Sequence, residues 1–376
     1  MDGLINEQKR LGLKLARLAY DKSPFYREYL SESNGPIDTF ENLPFTDGKM
    51  LSENANTMLT VSLGDIARIR SYETSGSTSL PKRVFFNEQT LTDTISFFAS
   101  GMETIVADDL RPTIIMFSDN KPYSMGNLLK QGLKQINHTG IVYGRPCDEA
   151  DMIRRASICA TLVGFPSDLY YLCKKAPHLR PGSVLLTADY IPSSIISTIE
   201  ENWKCNIFTH YGMTETCYGL AVSCPFNCGM HIRSDRYYIE VIDPVTLKLL
   251  PFGVEGELVI TSLKDDALPL IRYRTSDIGS ISYADCKCHN KSPRILKVLG
   301  RVENISNEIN IHALDDLLYS EPGVFAYEAS LDDSVLTLVI NGTLLDENTL
   351  VSKINAKVKL HYSEVPPWHT SGKRSL

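Results

Sequence analysis

The spacing of apolar and polar positions changes along the chain. Between residues 4 and 20 the apolar side chains recur at helical spacing, which predicts an N-terminal helix. From about residue 66, short apolar runs such as RPTIIMFSD, ATLVGFP and SVLLTADY alternate with helical patterns such as SDLYYLCKKA and SSIISTIEENW. Strands that alternate with helices predict an α/β fold built on a largely parallel sheet.

Two later regions depart from this alternation. Residues 236–282 contain apolar runs broken by turn residues, which is typical of antiparallel β structure. From Gly300 onward, the helical pattern HALDDLLYS is followed by two strand patterns and a second helical pattern. We therefore predict a large domain over residues 1–299, with a parallel-sheet α/β part and a β-rich lobe, and a small α+β domain over residues 300–376.

Composition and charge narrow the class of protein. A length of 376 residues is typical of a chain with two domains. Of these residues, 43% are hydrophobic and 22% are charged, a balance typical of a globular protein. The formal net charge of −7 argues against an extended nucleic-acid surface. No apolar run approaches the roughly 18 residues of a membrane span, and the first 20 residues are unlike a signal peptide. We expect a cytoplasmic protein with no nucleic-acid or membrane partner, and we leave a homodimer open.

The first segment with candidate chemistry is TSGSTSLPK, residues 74–82. Small hydroxyl residues around a glycine, closed by Pro-Lys, offer backbone N–H groups, hydroxyls and an ammonium group to phosphate oxygens. The spacing is not that of the GxxxxGK[ST] phosphate loop. Taken alone, the segment is also typical of a flexible turn.

Four further segments carry candidate groups. HYGMTET (residues 210–216) offers a ring to stack on a base, a hydroxyl for phosphate and a carboxylate for Mg²⁺, although a capped strand–loop junction would have the same pattern. RYRTSD (residues 272–277) offers a carboxylate for a sugar diol. GRVE (residues 300–303) lies where the pattern changes and is typical of a hinge, and TSGK (residues 370–373) lies near the end of the chain.

The order and spacing of these five segments resemble the adenylate-forming superfamily of acyl-CoA synthetases and luciferases. SPFYREYL, ENLPFTDGKM, DIARIRSYETSGST and IEVIDPVTLKLLPFGVEGELVITSL are similar to its phenylacetate–CoA ligase branch. The resemblance covers nearly the whole chain. It implies an AMP-forming acid–CoA ligase that uses ATP, Mg²⁺ and coenzyme A, with an N-terminal AMP-binding domain and a mobile C-terminal domain. The expected substrate is an aryl or similarly compact carboxylic acid.

The resemblance also implies roles for single residues. The β- and γ-phosphates of ATP would be held by Ser75, Gly76, Ser77, Thr78 and Lys82. Tyr211 would pack on adenine, Thr214 would contact the α-phosphate, and Glu215 would bind Mg²⁺. Asp277 would hold the ribose hydroxyls, and Arg301 would contact the ribose or phosphate region.

The resemblance also implies that the C-terminal segment takes part in catalysis. Lys373 would bridge the substrate carboxylate and the nucleotide during adenylation, so that Lys373, Thr214 and Glu215 form the implied catalytic set. The small domain would then rotate about a hinge near Glu303. Three features depart from the family: Ser79 replaces a usual glycine, the Lys/Ile-Gly pattern after GR is missing, and the chain is short for the branch.

Two other functions stay open at this point. An adenylating enzyme that hands the acyl group to a carrier protein or an amine would share the same motifs. A non-catalytic nucleotide- or acyl-AMP-binding protein is the alternative of another class, and the presence of Lys82, Glu215, Asp277 and Lys373 in the motifs argues against it.

The cysteines suggest a second site. The sequence has nine of them, and this odd number without an export signal argues against a disulfide framework. Three thiolates and an imidazole, from Cys224, His231, Cys286 and Cys288, match tetrahedral Zn²⁺ chemistry. SCPFNCGMHIRSD and the CxC pair are similar to a stretch that carries a metal in some members of the branch. Rival ligands are Cys228 and His289, and unliganded thiols are the alternative.

Aromatic residues near the motifs are candidates for the acyl pocket. In relatives such positions line the pocket, but aromatic residues beside strands also belong to cores. The identity of the acid therefore stays open. The four candidates are Phe165, Tyr190, Phe208 and Tyr218.

Overall fold

The computed structural model of the protein describes residues 2–32, 37–72, 82–107, 109–118, 121–145, 148–302, 309–354 and 356–364. Contacts within the chain define two compact units. The first contains Met1–Phe97, Tyr211–Val222 and Cys228–Val302, and the second contains Phe98–His210, Ser223–Asn227 and Glu303–Leu376. This partition differs from the expected division into residues 1–299 and 300–376, which stays a prediction.

The first unit begins with helices α1 (Asp2–Lys22), α2 (Pro24–Ser31) and α3 (Gly48–Asn54). The predicted N-terminal helix is thus confirmed, with Leu15 and Ala19 of its apolar residues buried and Leu4 exposed. Helix α2 starts at Ser23, whose side chain accepts a hydrogen bond from the Tyr26 N–H, with Pro24 in the first turn. Helix α3 starts in the same way at Asp47, which accepts from the Met50 N–H at 2.8 Å.

Two sets of strands complete the first unit. Strands β1 (Arg68–Tyr72) and β2 (Lys82–Phe86) form an antiparallel ribbon, and helix α4 (Glu88–Val106) follows in sequence. The antiparallel strands are paired in the spatial order β10, β11, β12, β13, β9. Their bounds are β9 (Met230–Ile232), β10 (Tyr237–Ile242), β11 (Gly256–Ser262), β12 (Tyr273–Ser282) and β13 (Arg294–Arg301), with the short β8 (Ala221–Ser223) before them.

The second unit contains the predicted parallel sheet, in the order β4, β3, β5, β6, β7. Its strands are β3 (Thr113–Ile115), β4 (Gly140–Val142), β5 (Thr161–Gly164), β6 (Ser183–Leu186) and β7 (Asn206–Tyr211). The helices between them are α5 (Met125–Gln135), α6 (Glu149–Ala156), α7 (Pro166–Lys175) and α8 (Ser193–Trp203). Strands β3, β5 and β6 are buried along their whole length, which explains their continuous apolar runs.

The C-terminal elements share a core with this sheet. They are α9 (Ile311–Leu318), β14 (Val324–Asp332), β15 (Val335–Gly342), α10 (Glu347–Ser352) and β16 (Lys357–Tyr362). Strand β15 pairs antiparallel with β14 and parallel with β16. Leu314 and Leu318 of α9 belong to the same buried cluster as Leu162 and Trp203 of the sheet and its helices.

The predicted fold class is confirmed, because an α/β part with a parallel sheet, a β-rich part and C-terminal α+β elements are all present. Within the described residues, no helix combines the length and the apolar character needed to cross a membrane.

Candidate functional site

Two residues expected at the phosphates and Mg²⁺, Lys82 and Glu215, lie together in the first unit. Lys82 begins β2, and Glu215 lies in a short 3-10 helix (Thr214–Thr216). The two residues are 133 positions apart in sequence, yet Lys82 Nζ lies 3.4 Å from Glu215 Oε1. The Tyr273 hydroxyl donates to the same oxygen at 2.9 Å and lies 3.4 Å from the lysine nitrogen. The two charged side chains are only 14% and 5% exposed, so water screens their attraction weakly.

The N-terminal motif ENLPFTDGKM positions this cluster. Thr46 pairs with the backbone of residues 272–274, donating its N–H to the Arg272 carbonyl and accepting from the Arg274 N–H at 2.8 Å. This pairing holds Tyr273 between them. Gly48 leaves room for the lysine, because a Cβ there would lie 2.4 Å from Lys82 Nζ. The motif ENLPFTDGKM, which is separated in sequence from the segment TSGSTSLPK, therefore determines the space available to the Lys82 side chain.

A second cluster joins the residues expected at adenine and ribose. The Tyr211 hydroxyl donates to Asp277 Oδ2 at 2.5 Å, and Arg301 Nε lies 3.3 Å from Asp277 Oδ1. Burial, together with the negative charge and hydrogen bond of Asp277, holds the pKa of Tyr211 well above its usual range. The phenol therefore stays protonated and serves as a donor at physiological pH.

The β-strand register brings Asp277 to Arg301. The two residues are paired partners on β12 and β13, and the register shifts farther along β12, between Ile278 and Gly279. Ser276 has a φ of +62°, a left-handed conformation, and its N–H donates to Glu257 Oε1 at 3.0 Å. The Asp277 N–H donates to Thr275 Oγ1 at 3.0 Å. The buried carboxylate of Glu257 and the hydroxyl of Thr275 thus stabilise the backbone turn that orients the Asp277 side chain.

The two arginines of RYRTSD have a structural role. Arg272 donates from Nε and Nη2 to the two oxygens of Glu240 at 3.1 and 3.0 Å. Arg274 donates to Glu257 Oε2 at 2.9 and 2.7 Å. Each guanidinium neutralises a carboxylate that is buried in the β-rich part, which would otherwise carry a large desolvation penalty. The motif therefore combines two internal ion pairs with two site residues, Tyr273 and Asp277.

Several expected site residues lie outside the described residues. They are Ser75, Gly76, Ser77 and Thr78, the family departure Ser79, the hinge residue Glu303 and the catalytic candidate Lys373. Thr214 is described and half-buried, and it begins the 3-10 helix that carries Glu215.

The cysteine and histidine candidates for zinc come together. One ligand atom from each of Cys224, His231, Cys286 and Cys288 lies within 4.8 Å of the others. His231 Nε2 is 3.2 Å from Cys288 Sγ, and its Nδ1 is 3.2 Å from the Ser292 carbonyl oxygen. If Nδ1–H donates to that carbonyl, Nε2 presents its lone pair to the thiols, as metal-binding histidines do.

Of the two rival ligands, Cys228 lies beside the group of four and His289 does not belong to it. Cys228 Sγ lies 3.2 Å from Cys286 Sγ, so Cys228 stays a rival. His289 is exposed and does not belong to the group of four. Burial acts to raise the pKa of Cys286, but hydrogen bonds from the Cys288 N–H, from the Cys228 and Cys288 thiols and from His231 lower it to about 5. These hydrogen bonds favour the thiolate, the form that binds metal.

The aromatic candidates for the acyl pocket have different surroundings. Phe165 follows β5 and packs edge-on against Phe117, with ring centroids 5.0 Å apart. Tyr190 donates to Asp316 Oδ2 at 2.8 Å, and Phe208 is a core side chain of β7. Tyr218 is half-buried in the first unit.

Sequence reasoning missed Tyr273 at the first cluster. A regular strand period would put residues 273, 275 and 277 on one face, but the register shift between Arg274 and Ile278 interrupts that alternation. The contact of Tyr273 with Lys82 and Glu215 depends on Thr46, and no local pattern reveals that pairing.

The chain was compared with known families and curated proteins. A family model described as "AMP-binding enzyme" matches residues 72–263, which is more than half of the chain. The phenylacetate–coenzyme A ligase of Thermus thermophilus is 24% identical over 362 residues, covering 87% of this chain and 79% of the relative. The enzyme of the same name from Pseudomonas putida is 28% identical over 314 residues, covering 76% and 68%.

Solved structures share the fold. A 2-hydroxyisobutyryl-CoA ligase in the postadenylation state, in complex with R3-HIB-AMP, matches with a TM-score of 0.77 and 16% identity, covering 96% of this chain and 85% of that chain. The same ligase in the thioesterification state, in complex with 2-HIB-AMP and CoA, gives a TM-score of 0.70 and 17% identity, covering 96% and 86%.

Proposed function

The chain belongs to the family of AMP-binding enzymes, in the phenylacetate–CoA ligase-like branch of the adenylate-forming superfamily, and from this premise we propose that it is an AMP-forming acid–CoA ligase. It would activate a carboxylic acid with ATP and pass the acyl group to coenzyme A. The observation that carries the proposal is the contact of Lys82 with Glu215 and Tyr273, which joins two motifs expected at the ATP phosphates.

The proposed reaction has two steps. A carboxylate oxygen of the acid attacks the α-phosphorus of ATP, the bond to the bridging oxygen breaks, and pyrophosphate leaves with that electron pair. The thiolate of coenzyme A then attacks the acyl carbon, and AMP leaves. The first step concentrates negative charge on the phosphates, so positive groups aimed at them lower its barrier.

The first cluster would serve the phosphates. Lys82 would bind the β- and γ-phosphates with the hydroxyl residues of the segment 74–78. Glu215 fits a Mg²⁺ ligand, because its buried carboxylate is an oxygen donor fixed by the Tyr273 hydroxyl. When bound, Mg²⁺ supplies further charge neutralisation at the phosphates.

The second cluster would serve the nucleoside. The Asp277 carboxylate accepts from Tyr211 and faces Arg301, and a carboxylate offers about four lone-pair sites in all. Its side chain stays 14% exposed. Asp277 can therefore accept from ribose hydroxyls while Tyr211 fixes its orientation.

We further propose that the cysteine–histidine group binds a structural Zn²⁺. The ligand atoms of Cys224, His231, Cys286 and Cys288 form a Cys₃His set, and Cys228 is the competing thiol. Four protein ligands leave no open position for substrate. The ion would hold the Cys224 loop to the loop of Cys286 and Cys288.

Isotope exchange tests the proposed function. Labelled pyrophosphate should enter ATP only when a suitable acid is present, and a panel of aryl and other compact acids would identify the substrate. Adding coenzyme A should then give a thioester. Exchange without a thioester would favour transfer to a carrier protein or an amine, and nucleotide binding without exchange with any acid would indicate a non-catalytic binding protein.

Lys373→Ala should separate the two steps. We expect adenylation to fall at least about tenfold more than thioester formation from preformed acyl-AMP, because the lysine would act only in the adenylation arrangement. Rapid-quench assays of each half-reaction measure the difference. Arg374→Ala removes the same charge one residue later and is the control. Equal losses in both half-reactions would contradict the role.

Gly48→Ala should disturb ATP binding without unfolding the protein. The new Cβ would displace Lys82 Nζ, which is the flexible end of its side chain, so the cost to folding is small. We expect the KM for ATP to rise several-fold with an unchanged melting temperature. Gly64→Ala is the control, because only Ser62 Oγ lies near its Cβ, at 3.6 Å. An unchanged KM would separate Lys82 from the phosphates.

A further inference from the structure

Strand β1 of the ribbon places two half-buried arginines on one face and an exposed isoleucine on the other. Arg68 and Arg70 lie on one face of β1, while Ile69 on the other face is 54% exposed. In the antiparallel register, Arg68 is opposite Phe86 and Arg70 is opposite Val84, which are 3% and 1% exposed. Directly paired residues share a face, so the two arginines lie on the face of Phe86 and Val84. Phe85, which is opposite Ile69, is also only 3% exposed, so the two faces of the ribbon differ in β1, where Arg68 and Arg70 are half-buried and Ile69 is exposed.

These two arginines have no counterion in the described part of the chain. Arg68 Nη1 and Arg70 Nε are buried without a hydrogen-bond partner among the described residues. A buried charged donor without a partner carries a large desolvation cost. Arg272 of the same unit, in contrast, donates to the carboxylate of Glu240. A bound anion would therefore give these two guanidinium nitrogens a partner.

The residues beside the arginines fit such an anion site. Tyr218 lies near both guanidinium groups: burial raises its pKa, and the positive charges of Arg68 and Arg70 oppose that rise. The net shift is upward, so its phenol stays neutral and can donate. Cys217 and Tyr218 both have left-handed backbones, with φ of +51° and +66°, a conformation that costs free energy and is concentrated at binding sites.

The same face also carries the lysine of the first cluster. Lys82 pairs with Tyr72, so Lys82, Val84 and Phe86 alternate along the face that holds Arg70 and Arg68. Each two-residue step is about 7 Å. Three cationic side chains are thus set out in a row that begins at the candidate phosphate lysine, and β1 ends two residues before Thr74.

We propose that Arg68 and Arg70 form a binding site for the pyrophosphate that leaves during adenylation, an inference that rests on the proposed function. Guanidinium groups bind phosphate oxygens with paired hydrogen bonds, and two of them beside Lys82 can take over a diphosphate as its bond to the α-phosphorus breaks. Binding of pyrophosphate by the arginines forms and breaks no covalent bond beyond those of the adenylation step. Coenzyme A also carries phosphate groups, so the experiments must separate the two sources.

Direct binding gives the first test. Pyrophosphate should raise the melting temperature of the wild-type protein, and Arg68→Gln and Arg70→Gln should each lose most of that shift. Arg83→Gln is the matched control, because Arg83 is exposed on the other face of the same ribbon. Arg70→Lys keeps the charge and should restore part of the shift. Equal shifts in all variants would overturn the proposal.

Kinetics give the second test. We expect each glutamine variant to raise the KM for pyrophosphate in the exchange reaction about tenfold, the effect of losing one charge-assisted contact. The KM for coenzyme A, measured with preformed acyl-AMP, should not change. If the KM for coenzyme A rises and that for pyrophosphate does not, the arginines bind coenzyme A and the proposal is wrong. If no acid supports exchange but pyrophosphate binding still depends on the arginines, only the proposed function fails.

Discussion

Replacing Glu215 with glutamine should lower the rate of adenylation by about 100-fold or more. The amide keeps the size of the side chain and can still accept from Tyr273, but it removes the charge that faces Lys82 and that would bind Mg²⁺. The loss should appear in the pre-steady-state rate of acyl-AMP formation at saturating ATP and acid. Higher Mg²⁺ should restore part of it.

A control separates this loss from a general effect of removing charge. Glu255→Gln changes an exposed carboxylate of the same unit and should leave the rate unchanged. The melting temperature of the Glu215 variant should fall, since Lys82 loses the buried carboxylate that faces it, so the rates are compared at a temperature at which the variant is still folded. An unaltered adenylation rate would remove Glu215 from the reaction.

Loss of the proposed zinc should have the largest effect on stability. We expect about one Zn²⁺ per chain, and Cys286→Ser should lower metal content and the free energy of unfolding together, the latter by several kcal/mol. A structural ion adds its binding free energy to folding, because the unfolded chain holds no formed site. Elemental analysis of protein prepared without a histidine tag, with thermal unfolding, measures both. Catalysis should change only indirectly.

Other cysteines provide the controls. Cys205→Ser alters a thiol outside the group of four and should keep the metal. Comparing Cys224→Ser with Cys228→Ser identifies the fourth ligand, because the variant that retains zinc has lost a non-ligand. The zinc proposal would be wrong if untreated protein holds far less than one equivalent, or if full occupancy survives the loss of both Cys286 and Cys288.

Much of the fold followed from local patterns. The buried strands β5 and β6 are continuous apolar runs because both faces of a parallel sheet are covered, and that signal is local. The partition into two units was not predictable in this way. Leu314 and Leu318 of α9 join the core of the parallel sheet through contacts between distant parts of the chain. An amphipathic helix shows which face it buries, but not which surface covers that face.

The candidate site shows the same limit. Lys82 and Glu215 were recognisable from their motifs, and the structure brings them together. The part played by Tyr273 depends on the pairing of Thr46 with a segment more than two hundred residues away. Arg68 and Arg70 gave no signal either, since an Arg-Ile-Arg strand normally predicts a buried isoleucine. The exposure of Ile69 and the half-buried positions of the two arginines are visible only in the structure.

The shared core of the second unit has a consequence for how the protein is made on the ribosome. The parallel strands and Trp203 emerge long before α9, and until then the apolar surface that α9 will cover faces water. Tyr170 of α7 likewise waits for Tyr319, whose carbonyl oxygen it contacts at 3.4 Å. The nascent chain therefore carries an unfinished core through most of its synthesis. During that interval we expect chaperones that bind exposed apolar segments to bind the nascent chain.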